Sequence, residues 1–235
     1  MTKEFHKDDF YQILQTHGIT LNEVQKQQFS TYATLLKEWN EKMNLTAITE
    51  ESAVYEKHFL DCILPSFDTK ISGTLCDVGA GAGFPSIPLR IVYPDLEVTI
   101  VEPLGKRITF LKALSDALHI QVCLENARAE DFVKEHREQY DIVTARAVAN
   151  LPMLAELCIP LVKPQGIFLA MKGANGEEEH ELAKTGIKTL GCELQDVFHK
   201  ELMDGSKRVN LVYHKEKATP KGYPRTFAQI KKHPL

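Results

Sequence analysis

Residues 77–88 read DVGAGAGFPSIP, with glycines at 79, 81 and 83, an acid two residues ahead of the first, and Phe84 directly after the last. Glycines at this density let the chain adopt positive φ and pass within contact distance of a ligand. A dinucleotide turn would carry a third glycine where Phe84 stands, and a phosphate-cradling loop would continue into Lys-Ser/Thr; neither pattern is present. Asp77 is placed to accept hydrogen bonds from a cationic amino group, a partner that a pyrophosphate does not supply. Glu102 closes the next apolar run, about 20 residues on, where an acid accepts from ribose hydroxyls. Glu130, in NARAED (126–131), follows the third run, where an adenine ring would rest. Gly79, Gly81, Gly83, Asp77, Glu102 and Glu130 together describe a pocket for adenosine joined to an amino acid, which is S-adenosylmethionine.

Such a pocket needs a parallel sheet to hold it. Short apolar runs at LCDVG (75–79), EVTIVE (97–102), IQVCLE (120–125), YDIVTAR (140–146) and GIFLAMK (166–172) read as strands buried on both faces. Helices are expected between them at 104–117, 128–138, 152–160 and 177–189. The runs at 192–200 and 207–215 are separated only by ELMDGS, too short for a crossover helix, so they predict an antiparallel hairpin. Upstream, Thr20 and Glu23 form a capping-box pair. Leu21, Val24, Phe29, Tyr32, Leu35, Leu36 and Trp39 then give an amphipathic helix expected to pack on its own domain, with a second helix over 51–64. The expected organisation is a helical extension over 1–66, an α/β domain over 67–215 and a basic tail over 216–235.

The chain has 235 residues, a net charge of −4 and 43% hydrophobic residues. That excludes a wholly basic nucleic-acid binder but leaves room for local basic patches. Five scattered cysteines without a CxxC pair suggest reduced, mostly buried thiols. With no signal-peptide core and no apolar run of about 18 residues, a cytoplasmic protein is expected. The segment from Lys215 carries Lys217, Lys221, Arg225, Lys231 and Lys232 with Tyr223 and Phe227 interleaved, a composition suited to RNA. The acidic run Glu177, Glu178, Glu179 and Glu181 reads as a solvated helix face, His58 as a structural residue, and Asn44 as a turn or cap.

DVGAGAGFPSIPLRI, EPLGKRITFL, NARAED, a strand ending in RAVA, and MKG, with MNLT (43–46) and KHFLD (57–61) upstream and YPR (223–225) downstream, resemble the family of bacterial ribosomal RNA small subunit methyltransferase G, also called glucose-inhibited division protein B. The likeness runs from about Trp39 onward. Ser86 stands where the family often has Gly, and Cys62 where it often has Ser. The resemblance implies a class I S-adenosylmethionine-dependent methyltransferase fold: Rossmann-like, with a mostly parallel seven-stranded sheet and a C-terminal hairpin. It implies methyl transfer to N7 of one guanosine in 16S rRNA, with S-adenosylhomocysteine as product and no metal. It maps cofactor contacts onto Gly79, Phe84, Ala129, Glu130 and Arg146, and substrate handling onto Arg128, Arg146, Lys172, Arg208 and Arg225. The expected partner is 16S rRNA in the small subunit or an assembly intermediate, met by a monomer away from membranes.

Guanine N7 is a lone pair that carries no proton, so no general base is expected. Orientation, by Arg146 and Lys172, replaces acid–base chemistry. Phe84, Arg146 and Tyr223 are candidates to stack on the base; Arg146 could equally cap its strand and pair with a carboxylate. Two other functions fit much of the pattern: a methyltransferase acting on a small molecule or protein, and a non-catalytic RNA-binding assembly factor. An oxidoreductase is disfavoured by Phe84 and the hairpin.

Overall fold

The structure, a computed structural model, describes residues 5–235; residues 1–4, the start of the expected helical extension, lie outside them. Seven strands form one sheet: β1 (Thr74–Val78), β2 (Glu97–Val101), β3 (Cys123–Glu125), β4 (Tyr140–Arg146), β5 (Val162–Lys172), β6 (Cys192–Glu201) and β7 (Lys207–Lys215). Their order is β3-β2-β1-β4-β5-β7-β6. Every pairing is parallel except β5 with β7 and β7 with β6. The Val/Ile/Leu-rich runs form central strands because helices cover both faces. The third strand starts later than expected, at Cys123, and the fifth earlier, at Val162, which pairs with Tyr140 across an irregularity in register.

On one face pack α1 (Lys7–Thr16), α2 (Glu23–Met43), α5 (Ser86–Val92), α6 (Gly105–Leu118) and a helical stretch over 51–67. That stretch comprises α3 (Glu51–Val54), a widened π turn (Tyr55–Leu60), α4 (Asp61–Ile63) and a 3₁₀ turn (Leu64–Phe67). On the other face lie α7 (Ala129–His136), α8 (Leu151–Cys158), α9 (Gly176–Thr189) and α10 (Phe227–Lys232). β1 and β4 are neighbours, but the chain leaves them toward opposite faces, which opens a cleft at their carboxyl ends.

The capping box is Asn22 with Gln25, not Thr20 with Glu23: Gln25 N donates to Asn22 Oδ1 at 2.9 Å and Asn22 N to Gln25 Oε1 at 2.9 Å. Starting there lets Gln25 Nε2 reach Ile91 O, 2.8 Å away, and so close the carboxyl end of α5. Phe29, Tyr32 and Leu36 of the predicted stripe are buried, while Val24 is 66% exposed. The helix therefore docks on its own domain. Tyr32 Oη donates to Ala82 O at 2.5 Å, so the N-terminal helices grip the glycine loop itself. Asn44 ends α2 in the left-handed region at φ 49°, as a turn residue should.

The tail is not a free basic arm. Lys215 is fully buried, donating to Ile159 O at 2.9 Å and lying 3.4 Å from Glu138. Arg137 donates to the carbonyls of Thr219 and Tyr223, both at 2.6 Å, and Ile230 is fully buried. Tail burial on the core satisfies these groups, which excludes Lys215 from RNA contact; Lys217, Lys221, Lys231 and Lys232 remain exposed.

Candidate functional site

Two cavities open on the carboxyl edge of the sheet. The first, of about 470 Å³, is lined by Gly79 of the glycine loop, Glu102 and Leu104 after β2, Arg128, Ala129 and Glu130 at the start of α7, Ala147 and Val148 after β4, and Phe227 of the tail. Glu102 is fully buried; its carboxylate accepts from Gly81 N at 3.1 Å, Leu104 N at 3.0 Å and, more loosely, Arg107 Nη1 at 3.4 Å. A carboxylate has about four acceptor positions, so one remains and the long Arg107 contact is exchangeable. That capacity, an apolar wall of Leu104, Ala129 and Met153, and Glu130 at the rim fit the ribose and adenine of S-adenosylmethionine.

The three loop glycines do different work. Gly79 (φ +74°) brings its Cα so near Val148 that a Cβ would lie 2.8 Å from Val148 Cγ2. Gly81 (φ +61°) faces open space, the side on which a ligand can lie against the backbone. Gly83 (φ +97°) is a packing glycine, because a Cβ there would lie 2.7 Å from Ile87 Cγ1 and 2.8 Å from Tyr32 Oη. Asp77, expected to meet an amino group, is fully buried: one oxygen accepts from Ser86 N at 3.0 Å, and Oδ1 has no partner among the described residues. Burial pushes this carboxyl up to about 7, against the opposing pull of Ser86 and Arg146.

The second cavity, of about 500 Å³, meets the first at Ala147, which lines both and sits at φ +57°. Its walls come from the π turn and α4 (Lys57, His58, Asp61), the ends of β4 and β5 (Arg146, Met171, Lys172), α9 (Glu179), the β6–β7 turn (Asp204, Ser206) and β7 (Arg208, Asn210). Asp61 organises it: Oδ2 accepts from Arg146 Nη1 at 2.7 Å and Oδ1 from Arg208 Nε at 2.8 Å. Arg146 also donates to Lys57 O at 3.1 Å and to His58 Nδ1 at 2.9 Å, with its guanidinium 5.0 Å from the Phe84 ring centroid. Because Arg can only donate, His58 Nδ1 is the acceptor, and Nε2–H donates to Thr46 Oγ1 at 2.8 Å. Burial, then the Arg146 charge, lower the imidazole pKa to about 3 and keep it neutral. Lys172 Nζ donates to Ala149 O and pairs with Glu179, each at 2.8 Å.

Several residues sit elsewhere than their sequence context suggested. Phe84 is 6% exposed, stacked on Tyr32 and His58, and lines neither cavity; its ring supports Arg146 from behind and cannot stack on a base. Arg146 takes the carboxylate-paired arrangement and faces the second cavity, beside the cofactor side rather than on it. Arg128 lines the first cavity, its guanidinium 5.2 Å from the Phe227 ring, away from the basic residues of the second. Arg225 is committed to the fully buried Glu156, with Nε and Nη2 at 2.9 and 2.6 Å from its oxygens, because a buried carboxylate requires a cation. Arg225 is therefore a strut for the tail, with Tyr223 against it, and neither reaches the cavities. Glu179 departs from the solvated run, holding Leu151 N at 2.6 Å as well as Lys172. Lys172 and Arg208 line the second cavity, and Ala129 and Glu130 the first. Sequence reading missed Asp61 and the wall made by Phe227. The KHFLD motif was a signal for Asp61, but nothing in its spacing named the partners.

The rRNA small subunit methyltransferase G family model matches residues 25–211. The chain is 54% identical over 229 residues to the ribosomal RNA small subunit methyltransferase G of Staphylococcus carnosus, covering 94% of this chain and 95% of that one. It is 52% identical over 228 residues to that of Bacillus licheniformis, covering 94% and 95%. Among solved structures, Aeropyrum pernix fibrillarin with natively bound S-adenosyl-L-methionine superposes with a TM-score of 0.52 at 14% identity, over 66% of this chain and 73% of that one. M. jannaschii TYW2 in complex with AdoMet gives 0.53 at 15% identity, over 67% and 76%. At such identities the structural likeness speaks for the fold, that of the class I methyltransferases.

Proposed function

This chain belongs to the rRNA small subunit methyltransferase G family, and from that premise we propose that it transfers a methyl group from S-adenosylmethionine to N7 of one guanosine of 16S rRNA. The substrate is RNA held in the small ribosomal subunit or an assembly intermediate, and the enzyme acts as a cytoplasmic monomer. The observation that carries the reading is the pair of cavities meeting at Ala147, one suited to an adenosine and the other walled by polar groups held in fixed pairs. Gly79 and Gly81 admit the cofactor to the backbone, Glu102 holds the ribose, Leu104 and Ala129 flank the adenine with Glu130 at its edge, and Asp77 stiffens the loop through Ser86 N.

When bound, S-adenosylmethionine supplies an electrophilic methyl carbon, whose bond to sulfur breaks as N7 bonds to it while the sulfonium charge passes to the base. No proton moves, so His58 is not required as a base and no metal is needed to generate a nucleophile. The protein's contribution is alignment, where orientation can supply up to about 7–11 kcal/mol. Arg146 and Lys172 fix the second cavity through their bonds to Asp61 and Glu179. The exposed Lys207, between Ser206 and Arg208 of its wall, meets phosphate beside it. The base must leave its stack to enter.

The test is methyl transfer from labelled S-adenosylmethionine to unmodified small subunits, with naked 16S rRNA and total cell protein in parallel and the label mapped by cleavage at 7-methylguanosine. Label at one guanosine of the subunit is expected. Label confined to protein or metabolites overturns the substrate, and RNA binding without label overturns the enzyme reading.

A further inference from the structure

The tail reaches the first cavity, and two helices that wall that cavity are the two that hold the tail. α7 gives the cavity Ala129 and Glu130 at its start. At its far end, Arg137 donates to Thr219 O and Tyr223 O. α8 gives the cavity Met153 and Leu157. Between them in sequence, Glu156 accepts from Arg225 N at 2.7 Å, Nε at 2.9 Å and Nη2 at 2.6 Å. Phe227 follows that anchor by two residues. Ile230, fully buried, lies one turn of α10 further along the same face.

Phe227 is thus fixed from both sides, yet its ring is only half-buried and forms part of the cavity wall. A ring held rigidly in this way loses little freedom when a flat ligand is laid against it. Its neighbour shows which end of the cavity it covers. The Arg128 guanidinium, which makes no ion pair among the described residues, lies 5.2 Å from the ring centroid. Arg128 directly precedes Ala129 and Glu130, so the ring stands at the end of the cavity assigned to adenine.

We infer that the tail is a strap over the cofactor: the Phe227 ring packs on the adenine of S-adenosylmethionine, and docking of residues 216–235 and binding of the cofactor stabilise one another. The inference rests on the S-adenosylmethionine site proposed above. Phenylalanine has no polar side-chain atom, so it supplies a π face and leaves the adenine edge to Glu130. The coupling follows from the shared helices. A tail that lifts takes the ring out of the wall, and it leaves the buried Glu156 without its cation. The docked state is therefore the one that binds tightly. By linkage, the factor that undocking removes from cofactor affinity is the factor by which the cofactor suppresses undocking.

The experiment has two parts, both on the full chain. Calorimetry compares the affinities of wild type, Phe227→Ala and Phe227→Tyr for S-adenosylmethionine and for adenosine alone. Phe227→Ala should weaken both ligands by the same factor, roughly 5- to 100-fold, the range of a lost stacking contact. Phe227→Tyr keeps the ring and should bind within about threefold of wild type. Separately, hydrogen exchange of wild-type residues 216–235 is followed with and without saturating S-adenosylmethionine. Protection of the α10 amides, Ile230 N bonded to Thr226 O and His233 N bonded to Gln229 O among them, should rise at least as much as Phe227→Ala lowers affinity. Affinity within twofold of wild type in a folded Phe227→Ala overturns the proposal, as does a loss for S-adenosylmethionine that adenosine does not share. Exchange unchanged by the cofactor overturns it as well. That measurement needs no variant, so it decides the matter if Phe227→Ala melts early. Failure of the wild-type chain to bind S-adenosylmethionine at all instead refutes the cofactor site beneath it.

Discussion

The two cavities share Ala147 and differ in almost every other respect. The first is assembled from consecutive β-strand-to-helix turns, each contributing a short local motif: the glycine loop after β1, Glu102 after β2, Ala129 and Glu130 at the start of α7. The second draws on segments far apart in the chain, with Lys57, His58 and Asp61 from the stretch before the sheet meeting Arg146 from its centre and Arg208 from its hairpin. One is recognisable from spacing and the other only from contact. A cavity built from local motifs thus meets one built from distant segments, with the boundary at a single residue.

The glycine loop is where that contrast can be tested most severely. Gly81→Val puts a branched side chain at φ +61° into the open side of the loop. S-adenosylmethionine affinity should fall at least 100-fold in calorimetry while the melting temperature drops by only a few degrees. Gly83→Val drives Cβ into Ile87 and Tyr32, so its dominant effect should be unfolding, visible in the melting temperature before any binding is measured. Equal cofactor loss at unchanged stability in both would show that the three glycines are not divided in this way.

Asp61→Ala is expected to cost about 3–5 kcal/mol in denaturant unfolding, since it strands two partly buried guanidinium groups. Where the variant remains folded, transfer should be lost while cofactor affinity persists. Persistence of transfer would dissolve the distinction between the cavities.

Arg225→Ala should destabilise by a similar mechanism, about 2–4 kcal/mol, because Glu156 is left buried without its cation. Substituting Glu156→Gln in the same chain should recover part of the loss. A contact to phosphate would instead leave the melting temperature alone and reduce the salt dependence of RNA binding.

The smallest effect in the unaltered chain is in pH, where two groups act in opposite directions. His58 has its pKa lowered to about 3, so between about 6.5 and 3 the unfolded chain binds a proton that the native chain does not, and stability falls with falling pH. Asp77 is raised to about 7, so between 3.8 and 7 the native chain keeps a proton that the unfolded chain releases, and stability falls with rising pH. Each slope is about 1.4 kcal/mol per pH unit and they oppose one another over the shared window. Relative to wild type, His58→Gln should therefore lose stability as pH rises from 4 to 6.5, and Asp77→Asn as it falls. Parallel profiles would show that neither group is perturbed as described.

The fold was legible because its strands are short apolar runs with punctuated ends: YDIVTAR and KRVNLVYHK match β4 and β7 residue for residue. Most of the residues proposed for the cofactor side follow the ends of those runs, where the same punctuation marks them. Arg225 and Lys215 misled because composition counts charges without showing that a buried Glu156 faces one and that the other is itself buried beside Glu138. Phe84 misled because a ring beside a glycine loop reads as a ligand contact, whereas Tyr32 and His58, from distant helices, enclose it. The capping box slipped because Gln25 serves two ends at once, its own helix and α5.

Phe227 closes the first cavity from a segment that is synthesised long after the glycine loop. With elongation at roughly 5–20 residues per second, a growing chain displays Gly79, Glu102 and Glu130 for several seconds before that wall exists. Throughout the interval the cavity lacks one side, and Arg137 and Glu156, which anchor the tail to the core, have nothing to hold. The cavity proposed for the cofactor is consequently complete only when the tail has docked.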